Sequence, residues 1–434
     1  MQKLKKPIYF YLVLFIIATM IGSLLLYLPY TGKKPISLID AIFVASSAFT
    51  VTGLSPIDIG TQFNIFGEII ILILIQIGGL GIVTITLFTL ILLNKKITLK
   101  NRHLLMVSWN IDQPGGIVKL ILHVVMYSMI TEFIGAVLLA LSFVPKFGLA
   151  NGIFTSVFTS VSAFNNAGFA LFKNNLVDYT QDPIVMIVIP ALIILGGLGH
   201  LVLIDLITCK KLKKLALHSK VVLSTTVSLI ILGTICFFLL EQHHTLSHMN
   251  RIEQVGAAFF QSVTTRTAGF NSVDIGALQT STAGLMMALM FIGGAPLSAA
   301  GGIKVTTLAI IVVFLVSSLR NTPYPTLFHK SVSDKLIRLA LSTALLSGIY
   351  VIVMTFILSI LNPHAPFLSL MFEVVSAFGT VGLSMDFTTE YQGASKTIII
   401  TIMLAGKLGL LTIAHAFIST KTTNYHYAKG HIHL

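Results

Sequence analysis

Four short segments that end in glycine carry the residue types that could coordinate a cation without a charged side chain. None of them holds an acidic residue, and they read Val51-Thr52-Gly53, Asn166-Ala167-Gly168, Thr267-Ala268-Gly269 and Thr380-Val381-Gly382. A dehydrated monovalent cation needs a ring of oxygens in place of its water, and closely spaced backbone carbonyls can supply that ring. Glycine adopts backbone angles closed to other residues and leaves no side chain in the path. These segments therefore predict a carbonyl-lined site for a large, weakly hydrated cation.

The same four segments belong to a pattern that recurs along the chain. The motif S-A-F-x-x-x-G stands at residues 47–53, 162–168 and 376–382, and residues 264–270 keep the glycine and the large apolar residue after it. A second landmark follows each copy: Gly78-Gly79, Gly196-Gly197, Gly293-Gly294 and Gly406-Lys407. Ordered matches of two landmarks indicate an internal repeat. For any single copy, the alternative that its glycine only caps a short helix stays open.

Apolar segments define the elements that must position these residues. A membrane-spanning helix needs about 20 apolar residues, and eight candidates occur, at 8–28, 66–93, 117–143, 183–208, 219–240, 280–317, 335–361 and 394–419. Four runs between them are too short to span and predict re-entrant helices: 38–50, 150–165, 252–265 and 367–378. The predicted fold is an all-α polytopic membrane protein with eight transmembrane helices. Its four parallel helix–pore loop–helix repeats surround a central pore with pseudo-fourfold symmetry, with boundaries at 1–95, 96–215, 216–325, 326–420 and a tail at 421–434.

Composition agrees with a membrane protein and excludes other classes. Of the 434 residues, 55% are hydrophobic and 10% are charged, whereas soluble domains carry roughly 25% charged residues. Mean hydropathy is +0.93. A soluble globular protein, a disordered chain and a nucleic-acid binder are therefore excluded. The two cysteines, Cys209 and Cys236, fall at opposite ends of neighbouring spans, which argues against a disulfide between them.

The net charge is +13, and the distribution of the basic residues along the chain predicts the membrane topology. Basic residues cluster in alternate short connections between the apolar segments, and the positive-inside rule assigns such connections to the cytoplasm. Both termini are then predicted to be cytoplasmic. The clusters comprise Lys3, Lys5 and Lys6; Lys95, Lys96, Lys100 and Arg102; Lys210, Lys211, Lys213, Lys214 and Lys220; and Arg320, Lys330, Lys335 and Arg338.

A run of about ten small residues interrupts the segment 280–317. Proline removes a backbone donor and clashes with the preceding turn, so the sequence predicts a break in this helix. Non-helical backbone at membrane depth must be buried or face a cavity, which favours a gate over the alternative of a kinked packing helix. The candidate gate residues are Gly293, Gly294, Ala295, Pro296, Ser298, Gly301, Gly302, Lys304 and, from the last span, Lys407.

Ionisable residues inside spans are functional candidates by default. A fixed charge on Lys407 beside a cation path would oppose flow or contact the broken helix. Glu132 either hydrogen-bonds to a neighbouring helix or lies at a dimer interface. Three acids follow the glycine segments, where they either concentrate cations or are simply solvated: Asp58, Asp274 and Asp386. Two histidine groups are interpreted as solvated residues and not as metal sites: His243, His244 and His248, and His426, His431 and His433.

The repeat order, with T-V-T-G-L at Thr50–Leu54 and R-T-A-G-F at Arg266–Phe270, resembles the Trk/Ktr/HKT family of potassium transporters, and within it the bacterial Ktr membrane subunits. The resemblance implies a potassium filter at the four glycine segments, where Gly53 favours potassium over sodium. It also implies a gate at the broken helix. The family usually has arginine where this chain has Lys407, and lysine keeps the charge but loses the planar fork of donors.

The resemblance further implies a homodimer in the lipid bilayer of the bacterial plasma membrane and a cytoplasmic ring of nucleotide-binding RCK subunits of the KtrA or KtrC type. This ring would dock on the basic inner connections and the tail. The transported ligand is K⁺, with Na⁺ as a candidate activator and no covalently bound cofactor.

Two functions compete. The first is potassium uptake through a gated filter, driven by the membrane potential. The second is a secondary transporter of another cation or small solute. Parallel copies and the scarcity of intramembrane acids count against the second, since that class usually shows inverted repeats and coupling carboxylates. No recognisable hydrolase or nucleotide-binding motif is present, so an enzyme is not predicted.

Overall fold

The computed structural model describes residues 2–93, 117–209, 212–322 and 324–417 of the chain. The predicted basic segments 95–102 and 210–211, the tail 421–434 and the side chains of Lys3, Lys5 and Lys6 lie outside the described part. Seventeen α-helices occur in these ranges: α1 Gln2–Tyr27, α2 Leu38–Thr50, α3 Ile59–Gln62, α4 Ile65–Leu80, α5 Ile82–Leu92, α6 Ile117–Phe147, α7 Leu149–Phe164, α8 Pro183–Gly197, α9 His200–Thr208, α10 Leu217–Glu241, α11 Arg251–Thr264, α12 Thr280–Phe291, α13 Val305–Leu319, α14 Asp334–Leu361, α15 Phe367–Gly379, α16 Gly393–Leu408 and α17 Leu410–Phe417. Three short 3₁₀ helices complete the helical part: Val177–Tyr179, Leu212–Lys214 and Phe387–Glu390.

The four short helices α2, α7, α11 and α15 lie within one residue of the bounds predicted for the re-entrant segments. They contain 13, 16, 14 and 13 residues. At 1.5 Å per residue such helices are about 20–24 Å long, which is less than the hydrocarbon core of a bilayer. Each places a fully buried phenylalanine four residues before the serine or threonine that begins residues 47–53, 162–168, 264–270 and 376–382: Phe43, Phe158, Phe260 and Phe372.

Three helices are long and apolar enough to cross a membrane: Val118–Phe147, Leu217–Glu241 and Asp334–Leu361. Two bent pairs raise the count to five if each pair is one span, since α4 and α5 meet at 101° and α8 and α9 at 99°. By length and composition alone, the described helices therefore do not reproduce the predicted eight spans, and that number stays a prediction.

The second helix of each predicted repeat is broken, whereas the sequence predicted a break only in 280–317. Gly81, Gly199 and Gly409 interrupt the segments predicted as continuous at 66–93, 183–208 and 394–419, with φ angles of 83°, 83° and 80°. Glycine adopts such positive φ angles without steric cost. The fourth break is longer, because residues 292–304 separate α12 from α13. We refer to this segment as loop 292–304.

Glycines also decide how closely the short helices are packed. An added Cβ at Gly78, Gly196 or Gly406 would lie 1.9, 1.7 or 1.9 Å from the carbonyl oxygen of Phe49, Phe164 or Phe378, respectively. No side chain fits at such distances. The first glycine of these landmarks therefore allows α4, α8 and α16 to touch the ends of α2, α7 and α15.

One β-hairpin departs from the all-helical prediction. Strands β1 (Thr326–Leu327) and β2 (Lys330–Ser331) pair in antiparallel orientation between α13 and α14. The two turn residues, Phe328 and His329, have φ angles of 48° and 62°, as a two-residue hairpin with a primed turn requires.

Candidate functional site

The four glycine segments meet in a closed ring, which we call the glycine ring. An added Cβ on each glycine would collide with a carbonyl oxygen of the next segment: Gly53 with Ala167 at 2.4 Å, Gly168 with Ala268 at 2.8 Å, Gly269 with Val381 at 2.4 Å and Gly382 with Thr52 at 2.2 Å. The order of these contacts returns to its starting point. Segments that are far apart in the sequence therefore surround one axis with backbone atoms only.

Backbone strain recurs at the same place in each segment. The residue two positions before each glycine has a positive φ: 59° at Val51, 55° at Asn166, 72° at Thr267 and 51° at Thr380. Three of these residues are β-branched, for which positive φ is a genuine outlier. Such conformations cost about 1–3 kcal/mol each and persist where the surroundings over-determine them, most often at ligand clamps and active sites. Fourfold recurrence of this strain indicates a functional geometry.

Hydroxyl side chains hold each segment to its own short helix. The amides of Gly53 and Gly382 donate to Ser47 Oγ and Ser376 Oγ, both at 3.1 Å. In the other two segments the hydroxyl reaches the carbonyl after the glycine: Ser162 Oγ donates to Phe169 O at 2.8 Å and Thr264 Oγ1 to Phe270 O at 2.5 Å. In three of the four segments this residue is the first letter of the motif S-A-F-x-x-x-G, and the structure adds its role as the residue that closes each turn.

Loop 292–304 lies against the side of the ring at which the short helices end. Its two ends are paired, because Gly293 N donates to Ile303 O at 2.8 Å and Val305 N to Gly294 O at 3.1 Å. Gly301 N donates to Thr380 Oγ1 at 2.9 Å. The loop therefore touches a residue of the ring itself.

Two ammonium groups hold the second half of this loop. Lys407 Nζ donates to Ala299 O at 2.5 Å, and Lys304 Nζ donates to Ala300 O at 2.6 Å. Lys407 belongs to α16, just before the break at Gly409. Of the two alternatives that the sequence left open for Lys407, contact with the broken helix is the one that the structure displays. Its partner is a single carbonyl, which does not require the planar fork of arginine.

The first half of the loop touches the break between α8 and α9. Ala295 N donates to Gly197 O at 3.0 Å, and an added Cβ at Gly199 would lie 2.5 Å from Pro296 O. Ser298 Oγ donates to Ala295 O at 2.6 Å and so closes the turn at the tip. All of the predicted gate residues therefore belong to one connected structure.

Comparisons with known proteins identify the family. The profile of the family described as "TrkH: Cation transport protein" matches residues 12–425. The chain is 41% identical to the Ktr system potassium uptake protein B of Bacillus subtilis (strain 168) over 420 residues, which cover 96% of this chain and 94% of that protein. The chain belongs to this family of cation transport proteins. The resemblance predicted from the motifs is confirmed.

Other relatives and a solved structure agree. The chain is 36% identical to the Ktr system potassium uptake protein B of Vibrio alginolyticus, covering 94% of this chain and 90% of the relative. It is also 36% identical to the potassium/sodium uptake protein NtpJ of Enterococcus hirae, covering 97% and 95%. The crystal structure of the potassium transporter TrkH from Vibrio parahaemolyticus superimposes with a TM-score of 0.73 at 17% identity, covering 94% of this chain and 83% of that one. At that identity the likeness shows the fold.

Glu132 lies in a buried polar cluster behind the second glycine segment of this cation transporter. Its carboxyl oxygens accept from Gln76 Nε2 at 3.1 and 3.2 Å and from Asn165 Nδ2 at 2.9 Å. Asn165 directly precedes Asn166 of the ring. Of the two alternatives left open by the sequence, hydrogen bonding to neighbouring helices is the one that the structure displays.

His200 is a contact residue that the sequence analysis missed. Its Nδ1 lies 2.7 Å from the carbonyl oxygen of Leu297, at the tip of loop 292–304. An ionisable side chain within the apolar segment 183–208 is the signal that could have identified it.

Two of the three acids beyond the ring come together. An added Cβ at Gly276 would lie 2.8 Å from Asp386 Oδ2 and 3.4 Å from Asp274 Oδ1. The pKa of Asp386 is raised above its usual value, mainly by partial burial and to a smaller extent by the negative charge of Asp274. Asp58 instead caps α3, where its Oδ1 accepts from Gly60 N at 3.2 Å.

Proposed function

We propose that this chain is the ion-translocating subunit of a Ktr-type potassium uptake system, with the glycine ring as its selectivity filter. The observation that carries the proposal is the closed ring, in which every glycine lies against a carbonyl of the neighbouring segment. The relatives that bear the name potassium uptake protein support K⁺ as the cargo.

The ring suits a weakly hydrated monovalent cation because its twelve residues are neutral. The carbonyl oxygens of Thr52, Ala167, Ala268 and Val381 lie where adjacent segments meet and would replace the water of K⁺. A large ion such as K⁺ has a smaller dehydration cost than a small ion. The partial charges of carbonyl oxygens can compensate this smaller cost more fully. On this proposal, Asp274 and Asp386 concentrate cations at the outer mouth.

Loop 292–304 is the gate of the proposed pathway. On this proposal the loop closes the inner end of the ring, where Gly301 N donates to Thr380 Oγ1. Lys407 holds the loop there from α16 through Ala299 O, and Lys304 braces the loop internally through Ala300 O. The same ammonium groups place an electrostatic barrier in the path of a cation. Displacement of the loop would remove both obstacles, and K⁺ would then enter down the membrane potential, which is worth about 2.3 kcal/mol per charge per 100 mV.

The assembly follows from the same proposal. Repeats with boundaries at residues 95, 215 and 325 would each cross the plasma membrane twice, which gives eight crossings with both termini in the cytoplasm. A homodimer would receive the cytoplasmic RCK ring on its basic inner connections, which include the exposed Lys330 and Lys335. We also propose Na⁺ as an activator, and one relative bears the name potassium/sodium uptake protein.

Flux into liposomes that contain the purified chain tests the filter. We expect K⁺ flux to exceed Na⁺ flux, and the variant Gly53→Asp to lose this preference, because its side chain would collide with Ala167 O and add a charge to the ring. Gly256→Ala is the matched control, since nothing lies within 4 Å of the added Cβ. Absence of ion flux, or equal K⁺ preference in Gly53→Asp, would reject the proposal.

A further inference from the structure

The tip of loop 292–304 is held from a part of the molecule that does not contribute to the ring. Both the backbone N of His200, at 3.2 Å, and its Nδ1, at 2.7 Å, lie within hydrogen-bond distance of the same oxygen, Leu297 O. Because a carbonyl oxygen only accepts, Nδ1 carries the proton and donates. One loop carbonyl thus receives two donors from a single residue of α9.

This carbonyl also completes α9. The first amides of a helix have no partner within it and need an acceptor from outside. The N-cap of α9 is Gly199, which has no side chain to supply one. Leu297 O therefore takes the place of the missing cap, so that the loop and the helix stabilise each other.

The loop backbone is strained where it reaches His200. Leu297 has a φ of 61°, which is unfavourable for a residue with a branched side chain. Such a conformation relaxes when its contacts are lost. The hydrogen bonds to Leu297 O are the contacts that act directly on this strained residue.

The equivalent positions of the other broken helices lack such a donor. The residue after the breaking glycine is Ile82 after Gly81 and Leu410 after Gly409, whereas it is His200 after Gly199. Of these three breaks, the one with histidine is the one that touches the loop tip.

We propose that His200 is a positioning residue that keeps loop 292–304 closed by donating from Nδ1 to Leu297 O. This inference rests on the proposed gate. His200 acts on the tip of the loop, while Lys407 and Thr380 act on its second half. Because His200 begins α9, a movement of this helix would displace the tip directly. The opposite end of α9 is tied to α10, where Ser219 Oγ donates to Asp205 Oδ2 at 2.5 Å.

The test measures K⁺ flux in liposomes that contain the full chain without any regulatory subunit. We expect His200→Phe, which keeps a ring but no donor, and His200→Leu to raise this unstimulated flux about three- to tenfold, the range for loss of one hydrogen bond. The K⁺/Na⁺ ratio should not change, because the ring is intact. His200→Asn retains a donor near the position of Nδ1, and its unstimulated K⁺ flux should stay close to that of the unmodified protein.

A variant that lacks residues 293–302 separates the two hypotheses. High flux in this deletion variant together with unchanged flux in both His200→Phe and His200→Leu would overturn the role of His200 alone. Unchanged flux in the deletion variant would overturn the gate itself. A changed K⁺/Na⁺ ratio in His200→Phe, or an equal rise in His200→Asn, would also contradict the proposal, because the effect would then not depend on the Nδ1 donor.

Discussion

The glycine ring and loop 292–304 are in contact, yet they are held in opposite ways. Each ring segment is fastened to its own short helix by a hydroxyl six or seven residues away. The loop is held by partners that are 79, 97 and 108 residues distant, namely Thr380, His200 and Lys407. Local bonds fix the turn of each segment, while contacts between segments, such as the bond from Asn166 Nδ2 to Arg266 O at 3.2 Å, close the ring. The loop, in contrast, depends on the relative positions of several helices, which suits a movable element.

A side chain added within the ring should have the largest effect. Gly382→Ala would place its Cβ 2.2 Å from Thr52 O at a φ of 93°, so the backbone of two adjacent segments must shift. We expect K⁺ flux per reconstituted protein to fall at least about tenfold, because a binding site tolerates little displacement of its coordinating atoms. Gly148→Ala is the control, because its φ is 78° but nothing lies within 4 Å. Similar losses in both variants would show that strain, and not the close approach, is responsible.

Removal of the charged donor should affect the loop and leave the ring intact. Lys407→Met deletes the hydrogen bond to Ala299 O, and bonds of charged groups contribute about 1.5–3 kcal/mol. We expect unstimulated K⁺ flux to rise roughly tenfold or more, with an unchanged K⁺/Na⁺ ratio in competition flux measurements. In Lys407→Arg, which keeps a charged donor, the unstimulated K⁺ flux should rise much less. A lower K⁺/Na⁺ ratio in Lys407→Met would contradict the separation of the two regions.

Removal of one hydroxyl should affect the ring and leave the loop intact. Ser376→Ala deprives the partly buried Gly382 N of its acceptor at 3.1 Å, and the loss of a hydrogen bond costs about 0.5–1.5 kcal/mol. We expect the K⁺/Na⁺ ratio to decrease several-fold without a rise in unstimulated flux. Ser156→Ala is the matched control, because that hydroxyl bonds only Gly152 O of its own helix. Equal ratios in both variants would refute the role assigned to the motif serine.

The smallest expected effect concerns pH at the outer mouth. Burial is the larger and the charge of Asp274 the smaller of two causes that raise the pKa of Asp386. This carboxyl therefore takes up its proton at a higher pH than an ordinary aspartate. Below that pKa the neutral carboxyl attracts fewer cations. We expect K⁺ flux at low ionic strength to fall less than about twofold on acidification of the outside, and the effect to weaken in salt. Asp386→Asn should abolish this pH response. If the response persists in that variant, another group is responsible for it.

The short helices and their glycines were predictable because their signals are local. The bounds of α2 and α15 follow from an apolar run of about 13 residues with turn residues after it, and caps such as Ser37, which accepts from Asp40 N, need only neighbouring residues. The repeated motif also identified the glycines of the ring. The three additional helix breaks were not predicted, since Gly81, Gly199 and Gly409 stand in runs as apolar as any continuous span.

The sequence by itself determined the family, the predominantly helical membrane-protein class and the residues available for a carbonyl ring, because periodicity, capping and motif spacing act over a few residues. Only the tertiary structure decided that the ring closes through contacts such as Gly382 with Thr52, and that His200 and Lys407 hold opposite halves of one loop. These contacts join residues that are about a hundred or more positions apart. Their partners are chosen by the packing of whole helices, and no local pattern records that choice.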